Sequence, residues 1–446
     1  MNLTDTQKVV SGLMPGIRED LSTLVSYPSC SFPGFPSEPV HGACAFVVDM
    51  LKRSGFDAEQ LDLEAGGYPA VWAEKPGPEG SPTVLMYAHY DIQPAPMDQG
   101  WVTDPFEPVV KADGRLYGRG AADDKSGIAI HVGSLRALAD DLPVGVKVLI
   151  EGEEETASHL DAYVQRYPER FAADVMLIAD MGNIVCGQPV LTTRLRGMTA
   201  LTVRVDTVER PQHSGAFGGP APDALMTLIR MLASLQDDAG NPTVEGLVSF
   251  DWPGADYPEE LYRELTGVLP GVELIGDGSV ATRLWSKPVI NVIGIDAPSV
   301  AEAGNVLIPS ARARVSMRIA PGAEPAMEVA KLERHLLDVA PWNARVTIEN
   351  VTAAGGFIAP EGGPAVSAAK EALSAAYGVE PSEVGSGGSI PLLDTLLAAS
   401  PGAEFILWGA EDYSANIHGA NESVHPDEIE RMIVAQVLLL QSLATR

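Results

Sequence analysis

Six side chains of the kinds that hold divalent cations stand far apart in this 446-residue sequence: His89, Asp123, Glu154, Glu155, Asp180 and His418. One zinc ion is satisfied by about four ligands drawn from histidine nitrogens and carboxylate oxygens. Two ions about 3.5–4 Å apart share a carboxylate and take roughly two further ligands each. The set matches two ions: a histidine and an aspartate for one, a histidine and a glutamate for the other, and a third carboxylate between them. Count alone proves nothing here, because a loop aspartate in so acidic a chain is ordinarily a solvated charge.

The elements that must hold these groups are read from hydrophobic periodicity. Val84 to Ala88 is an apolar run between Ser81-Pro82 and Gln93-Pro94-Ala95-Pro96, which predicts a strand over 83–88. His89 then stands at the C-terminal edge of a sheet, where open α/β folds place their active sites. Residues i and i+2 of an extended segment face one side, so His89 and Asp91 point together, as a ligand and its orienting carboxylate would. The strand-like VKVLI at 146–150 runs into Glu151, Glu153, Glu154 and Glu155, and the strand-like run at 175–179 runs into Asp180. Further strands are expected at 57–63, 69–74 and 404–408. Helices are expected at 5–27, 42–52, 125–139, 364–377 and 426–443, the last burying Ile429, Met432, Ile433 and Val437. A strand that ends repeatedly in a ligand-type residue predicts a central sheet rimmed by chemical groups.

The character changes near Arg194. Strands at 196–207, 292–295, 311–319 and 344–351 and helices at 221–235 and 325–339 suggest a small ferredoxin-like α/β unit. Alternation in ARARVSMRI puts Arg312, Arg314, Ser316 and Arg318 on one face, polar side out. The expected architecture is therefore α/β. A large domain with a mixed central sheet is built from 1–193 and 354–446 and interrupted by a smaller domain over 194–353.

Composition narrows the partners. Sixty acidic residues against thirty basic ones give a formal net charge of -30, which repels nucleic acid and anionic membrane surfaces. The opening MNLTDTQKVV has no apolar core of signal-peptide kind, and no apolar run approaches ~18 residues. Cys30, Cys44 and Cys186 form no metal-spaced pair and suit free thiols in a reducing compartment. A cytoplasmic protein is expected.

Seven motifs, in order, then carry a resemblance: AHYDIQP (88–94), GRGAADDKSG (118–127), EGEEETAS (151–158), PQHSGAFGG (211–219), SMRIAPG (316–322), GGSIP (387–391) and IHGANE (417–422). The chain resembles the M20 metallopeptidases over essentially its whole length, and among them the dipeptidase branch with carnosinase-type enzymes. The resemblance implies a zinc-exopeptidase-like catalytic domain and a lid or dimerisation domain. It implies two divalent ions per subunit, zinc in the first place, with manganese or cobalt as the other candidates. His89, Asp123, Glu155, Asp180 and His418 would be the metal ligands, with Asp123 bridging and its bond to Asp124 cis. Counting back from Ser158 makes Glu154 the general base and Glu155 the ligand. Asp91 would orient His89, and Asp124 would be structural.

Further roles follow from the resemblance. His213 would reach into the neighbouring protomer's site of a homodimer and stabilise the oxyanion. Arg318 would bind a substrate carboxylate, and Gly388 and Ser389 would offer donors to the substrate's C-terminus. The implied reaction is hydrolysis of a dipeptide or related amide beside a free carboxylate. An N-acyl-amino-acid deacylase on the same fold is the alternative. Two departures stand out: Ala157 replaces the family's usual glycine, and Gly385 and Ser386 occupy places where the branch commonly carries arginine and glutamate. His41, His131, His159 and His335 match no ligand motif and are expected to be structural or surface residues, and His425 an ordinary helix-start residue.

Overall fold

The computed structural model describes residues 1–444 except Glu64, Ala65, Gly66, Asp140, Ala157, Glu361, Ser389 and Pro391. The chain divides into two compact units: Met1–Thr193 with Ala359–Glu383 and Leu392–Arg446, and Arg194–Ile358 with Val384–Pro391.

The first unit is organised on a mixed sheet. Its strands lie in the order Ala58–Leu61, Ala70–Lys75, Gly145–Glu151, Thr83–His89, Val175–Ile178, Glu404–Leu407 and Val190–Leu195. The four strands from Gly145–Glu151 to Glu404–Leu407 are mutually parallel, and the flanking pairings are antiparallel. Val84 to His89 and Val175 to Ile178 are buried without interruption. That explains their continuous apolar runs: a parallel strand covered on both faces has no solvent side to make polar. Register places His89 opposite Glu151, so neighbouring parallel strands deliver their polar ends to the same edge.

Helices Leu3–Val25, Lys125–Leu138, Pro364–Tyr377 and Pro426–Leu443 pack on one another and share a buried core with the sheet that includes Ile17, Leu21, Ile128, Val132, Leu373, Met432 and Ile433. The last two helices begin and end where periodicity predicts. The first starts earlier than expected because the Asn2 side chain accepts the Asp5 N–H at 3.0 Å. The second starts at Glu38 rather than Gly42, with Pro39 in its first turn, where the missing N–H costs no hydrogen bond.

In the second unit, strands Gly197–Asp206, Val289–Asp296, Ser310–Ile319 and Arg345–Ala354 form an antiparallel sheet. Its spatial order is fourth, first, third, second in chain sequence. With helices Ala224–Ala233 and Pro325–Asp338 packed on it, this is the βαββαβ ferredoxin-like arrangement. Ser310–Ile319 alternates buried alanine, valine, methionine and isoleucine with half-buried or exposed polar residues, as its sequence predicts.

Two stretches fall differently from the expected boundaries. Phe357 and Ile358 pair with Leu195 and Arg194, which carries the second unit to Ile358 rather than 353. The stretch 384–391, expected with the large domain, clusters with the smaller unit. There the Arg196 N–H donates to the Ser386 carbonyl at 3.0 Å, and a Cβ on Gly385 would lie 2.6 Å from that of Trp285. The space at Gly385 is thus taken by tryptophan. The stretch 236–288, where periodicity predicts no element, contains the helices Glu259–Thr266 and Val280–Trp285.

Candidate metal centre

The C-terminal edge of the parallel strands gathers five of the six expected groups into two overlapping clusters: His89, Asp123 and Asp180, and Asp123, Glu155 and His418. Within each, ligand atoms lie within 4.8 Å of one another. Asp123 belongs to both. Its Oδ1 lies 3.0 Å from His89 Nε2 and its Oδ2 lies 3.0 Å from His418 Nε2. His89 Nε2 is 3.8 Å from Asp180 Oδ1, and His418 Nε2 is 3.3 Å from Glu155 Oε2. Glu154 lies beside the clusters, with Oε2 4.0 Å from His89 Nε2.

Each group is delivered by a local device. His89 ends the Thr83–His89 strand and is fully buried. Its Nδ1 lies 3.1 Å from the Asp91 carbonyl and 3.4 Å from the Asp91 carboxylate. An Nδ1–H donated in that direction leaves the Nε2 lone pair turned to the cluster. The carbonyl is the nearer partner, so Asp91 orients the ring through backbone as well as side chain. Its carboxylate accepts the N–H groups of Glu154 and Glu155, both at 3.1 Å, and the Ser31 hydroxyl at 2.8 Å. One buried aspartate therefore sets the imidazole and the acidic loop together.

The Asp123–Asp124 bond is cis. The Asp124 carboxylate accepts the N–H groups of His89 and Gly127, each at 3.2 Å, and caps Lys125–Leu138. A side chain at 127 would collide with that cap, since its Cβ would lie 2.4 Å from Asp124 Oδ1. His418 adopts φ 61, a left-handed conformation that is uncommon for a non-glycine residue and that clusters at functional sites.

Glu422, the last residue of the IHGANE motif, has a role that residue type alone does not reveal. It is fully buried. Its Oε1 accepts the N–H groups of Ala122 and Asp123, and its Oε2 accepts that of Gly120 and the Arg119 guanidinium. It clamps the loop that carries Asp123.

The electrostatics fit cations. Burial pushes Glu154 and Asp180 well above the usual carboxylate range, and neighbouring carboxylates push them further. Burial works against the Asp123 charge too, but hydrogen bonds from His418 and His89 overcome it and hold that group low. Bonds to Asp123 and Glu155 push His418 up to about 10. Crowded buried carboxylates are costly unless protons or cations neutralise them. Oxygen and imidazole donors sharing one bridging carboxylate are the donor set of a two-ion site.

The remaining expected site residues, His213, Arg318 and Gly388, belong to the second unit, and Ser389 lies outside the described residues. His213 is exposed, and its Nδ1 accepts the N–H groups of Gly215 and Ala216 at 3.1 and 3.2 Å. Of the histidines outside the motifs, His131 is buried against the Tyr87 carbonyl, and His425 caps the final helix.

Residues 85–442 match the model of peptidase family M20/M25/M40. The chain is 39% identical over 433 residues to a cysteinylglycine-S-conjugate dipeptidase of Corynebacterium striatum, covering 95% of this chain and 94% of that one. It is 28% identical to a Beta-Ala-His dipeptidase of Mus musculus, covering 85% and 83%. The fold matches that of human carnosine dipeptidase 1 with TM-score 0.85 at 25% identity, covering 100% of this chain and 99% of that one. Two overlapping clusters able to hold cations, on this fold, make the protein a di-metal hydrolase of peptide or amide bonds. The chain belongs to the M20 peptidases, as a metallopeptidase of their dipeptidase type.

Proposed function

We propose that the substrates are dipeptides with a free C-terminal carboxylate, including S-substituted cysteinylglycine, cleaved with Glu154 as general base. The observation that carries this is the shared carboxylate of Asp123, one oxygen to each histidine at 3.0 Å. His89 and Asp180 would hold one ion, His418 and Glu155 the other, with Asp123 common to both; zinc suits these donors, and manganese and cobalt share the preference. When bound, such ions polarise a carbonyl and acidify a water. Glu154 takes the proton from the attacking water and passes it to the departing amine. Its raised proton affinity suits a group that must both accept and donate. Asp91 keeps Glu154 in register through the loop backbone.

Arg318 receives the substrate carboxylate. It is half-buried, its guanidinium forms no hydrogen bond or ion pair with another described residue, and a guanidinium fork suits a carboxylate bidentately. Gly388 and Ser389 offer donors to the substrate's C-terminus. His213 stabilises the oxyanion of a partner subunit's substrate. With its Nδ1 accepting two backbone N–H groups, the neutral ring carries its proton on Nε2, a preorganised donor.

Homodimerisation through the second unit is part of the proposal. The Val289–Asp296 strand is an edge of its sheet and exposes Val292, Ile293 and Ile295; long apolar edges are ordinarily covered. Residence in the cytoplasm is supported by three free cysteines. No described helix is long and apolar enough to cross a membrane.

The test is a kinetic panel of dipeptides, S-substituted cysteinylglycine and N-acyl amino acids, each with zinc, manganese and cobalt. Dipeptides should lead in kcat/KM, and Glu154→Gln should lower kcat by about 10²–10⁴. Preference for N-acyl amino acids would overturn the substrate reading, and undiminished turnover in Glu154→Gln would overturn the mechanism.

A further inference from the structure

The second unit contains a cavity of about 490 Å³, within the range of roughly 300–1,000 Å³ of small-molecule sites. It shares no residue with the three described clusters able to hold a cation, the third being Asp124, Asp180 and Glu411. Its apolar lining includes Val272, Ile275, Leu284 and Ile290. Two of these are unusually open for their type: Val272 is 51% exposed and Ile275 62%. Within one cavity wall, such side chains gain most from an apolar guest.

The charge of the lining is inverted relative to the chain. The whole sequence has 60 acidic to 30 basic residues, yet the cavity gathers Arg196, Arg283 and Lys287 against Glu273 alone. Glu273 is exposed, so water screens it, whereas Arg196 is only 8% exposed. Arg283 donates to the carbonyls of Ile275 and Ser279, and Lys287 donates to that of Asp277. Among the described residues, neither has a carboxylate within ion-pair distance. Carbonyls orient these two cations; the Asp256 carboxylate feels the Arg283 charge from beyond ion-pair distance, and the three cations of the lining still outnumber its one acid beside an apolar wall. Arg196 also borders the loop of the GGSIP motif, since a Cβ on Gly387 would lie 2.9 Å from its Nη2.

We propose that this cavity binds a small amphiphilic anion, with an apolar body against Val272, Ile275, Leu284 and Ile290 and a carboxylate or sulfonate held by Arg196, Arg283 and Lys287. Nothing in this reading depends on the dipeptidase chemistry.

The experiment uses the full zinc-loaded chain and the probe 1-anilinonaphthalene-8-sulfonate, followed by fluorescence and calorimetry. One saturable site per chain is expected. The uncharged analogue N-phenyl-1-naphthylamine should bind at least about tenfold more weakly, the scale of one lost charge-assisted hydrogen bond. The double variant Arg283→Glu with Lys287→Glu should weaken the sulfonate by about as much or more, and Leu284→Trp, which fills the cavity, should abolish binding. Peptide hydrolysis by each variant reports that it is folded. If either variant does not fold, the comparison of the two probes on the parent chain still decides. No saturable site, equal affinity for charged and neutral probes, or unchanged binding in a folded variant would each overturn the proposal.

Discussion

Glu422→Gln is the substitution by which the clamp beneath Asp123 is most directly tested. The parent carboxylate accepts four hydrogen bonds: from Ala122 and Asp123 at 3.0 and 3.1 Å on one oxygen, and from Gly120 and Arg119 at 3.0 and 2.6 Å on the other. Glutamine can keep the first pair. Its NH₂ group then faces the Gly120 N–H and the Arg119 guanidinium, so donors meet donors. Arg119 is 1% exposed, and breaking a buried ion pair costs about 3–5 kcal/mol. Stranding the Gly120 N–H adds about 1–3 kcal/mol when taken alone. The losses share one carboxylate and do not add. Arg119 also keeps the Gly419 carbonyl and the face of Trp101. We therefore expect a loss of about 4 kcal/mol, a large part of the ~5–15 kcal/mol that holds a typical domain together. Urea unfolding in chelator measures it free of bound metal. Because the same carboxylate sets the Asp123 backbone, zinc affinity by chelator competition should fall by about 10–100-fold. A variant within about 1 kcal/mol of the parent, with unchanged zinc affinity, would refute the clamp.

Three further outcomes are expected. Asp91→Ala, which frees both the acidic loop and the His89 ring, should lower zinc affinity by about 10–100-fold, read by chelator competition; full affinity would mean the carbonyl alone orients His89. Ile293→Lys, on the exposed edge strand, should shift the chain toward monomer in light scattering while its metal content stays unchanged; an unaltered dimer would place the interface elsewhere. Burial drives His131 down to about 4. Its folded value lies below the unfolded one, near 6.5. Its contribution to stability is therefore fully present above about 6.5 and is lost as pH falls toward 4, by on the order of 3 kcal/mol. The stability difference between parent and His131→Gln should shrink accordingly from pH 7 to 4, and a pH-independent difference would sink the assignment.

Much of the site was legible because its signals are local. An apolar run that ends in His89, or one that ends in Asp180, shows in a dozen residues, since a buried parallel strand must be apolar on both faces and a rim group must follow it. Only the family resemblance separates Glu154 from Glu155, by counting back from Ser158, whereas alternation in 310–319 places Arg318 on the polar side of its sheet. The ferredoxin-like order of strands and helices also follows from short-range periods of two and three to four residues.

Contacts between partners far apart in the chain leave no such local signal. Glu422 is one acid among sixty until folding sets it against Gly120, Ala122 and Asp123, some 300 residues earlier. Ser31 and the backbone of Glu154 and Glu155 meet Asp91 in the same way. The return of 384–391 to the second unit goes with a backbone hydrogen bond from Arg196 and a tryptophan contact that no local period encodes. The cavity of the second unit collects its cations from Arg196, Arg283 and Lys287, which no motif links. Which residues end the strands, and what chemistry their types allow, can be read from the chain alone, because propensity and burial act on neighbours. Which oxygen meets which nitrogen was decided by the fold, because a hydrogen bond across the chain leaves no periodic trace in it.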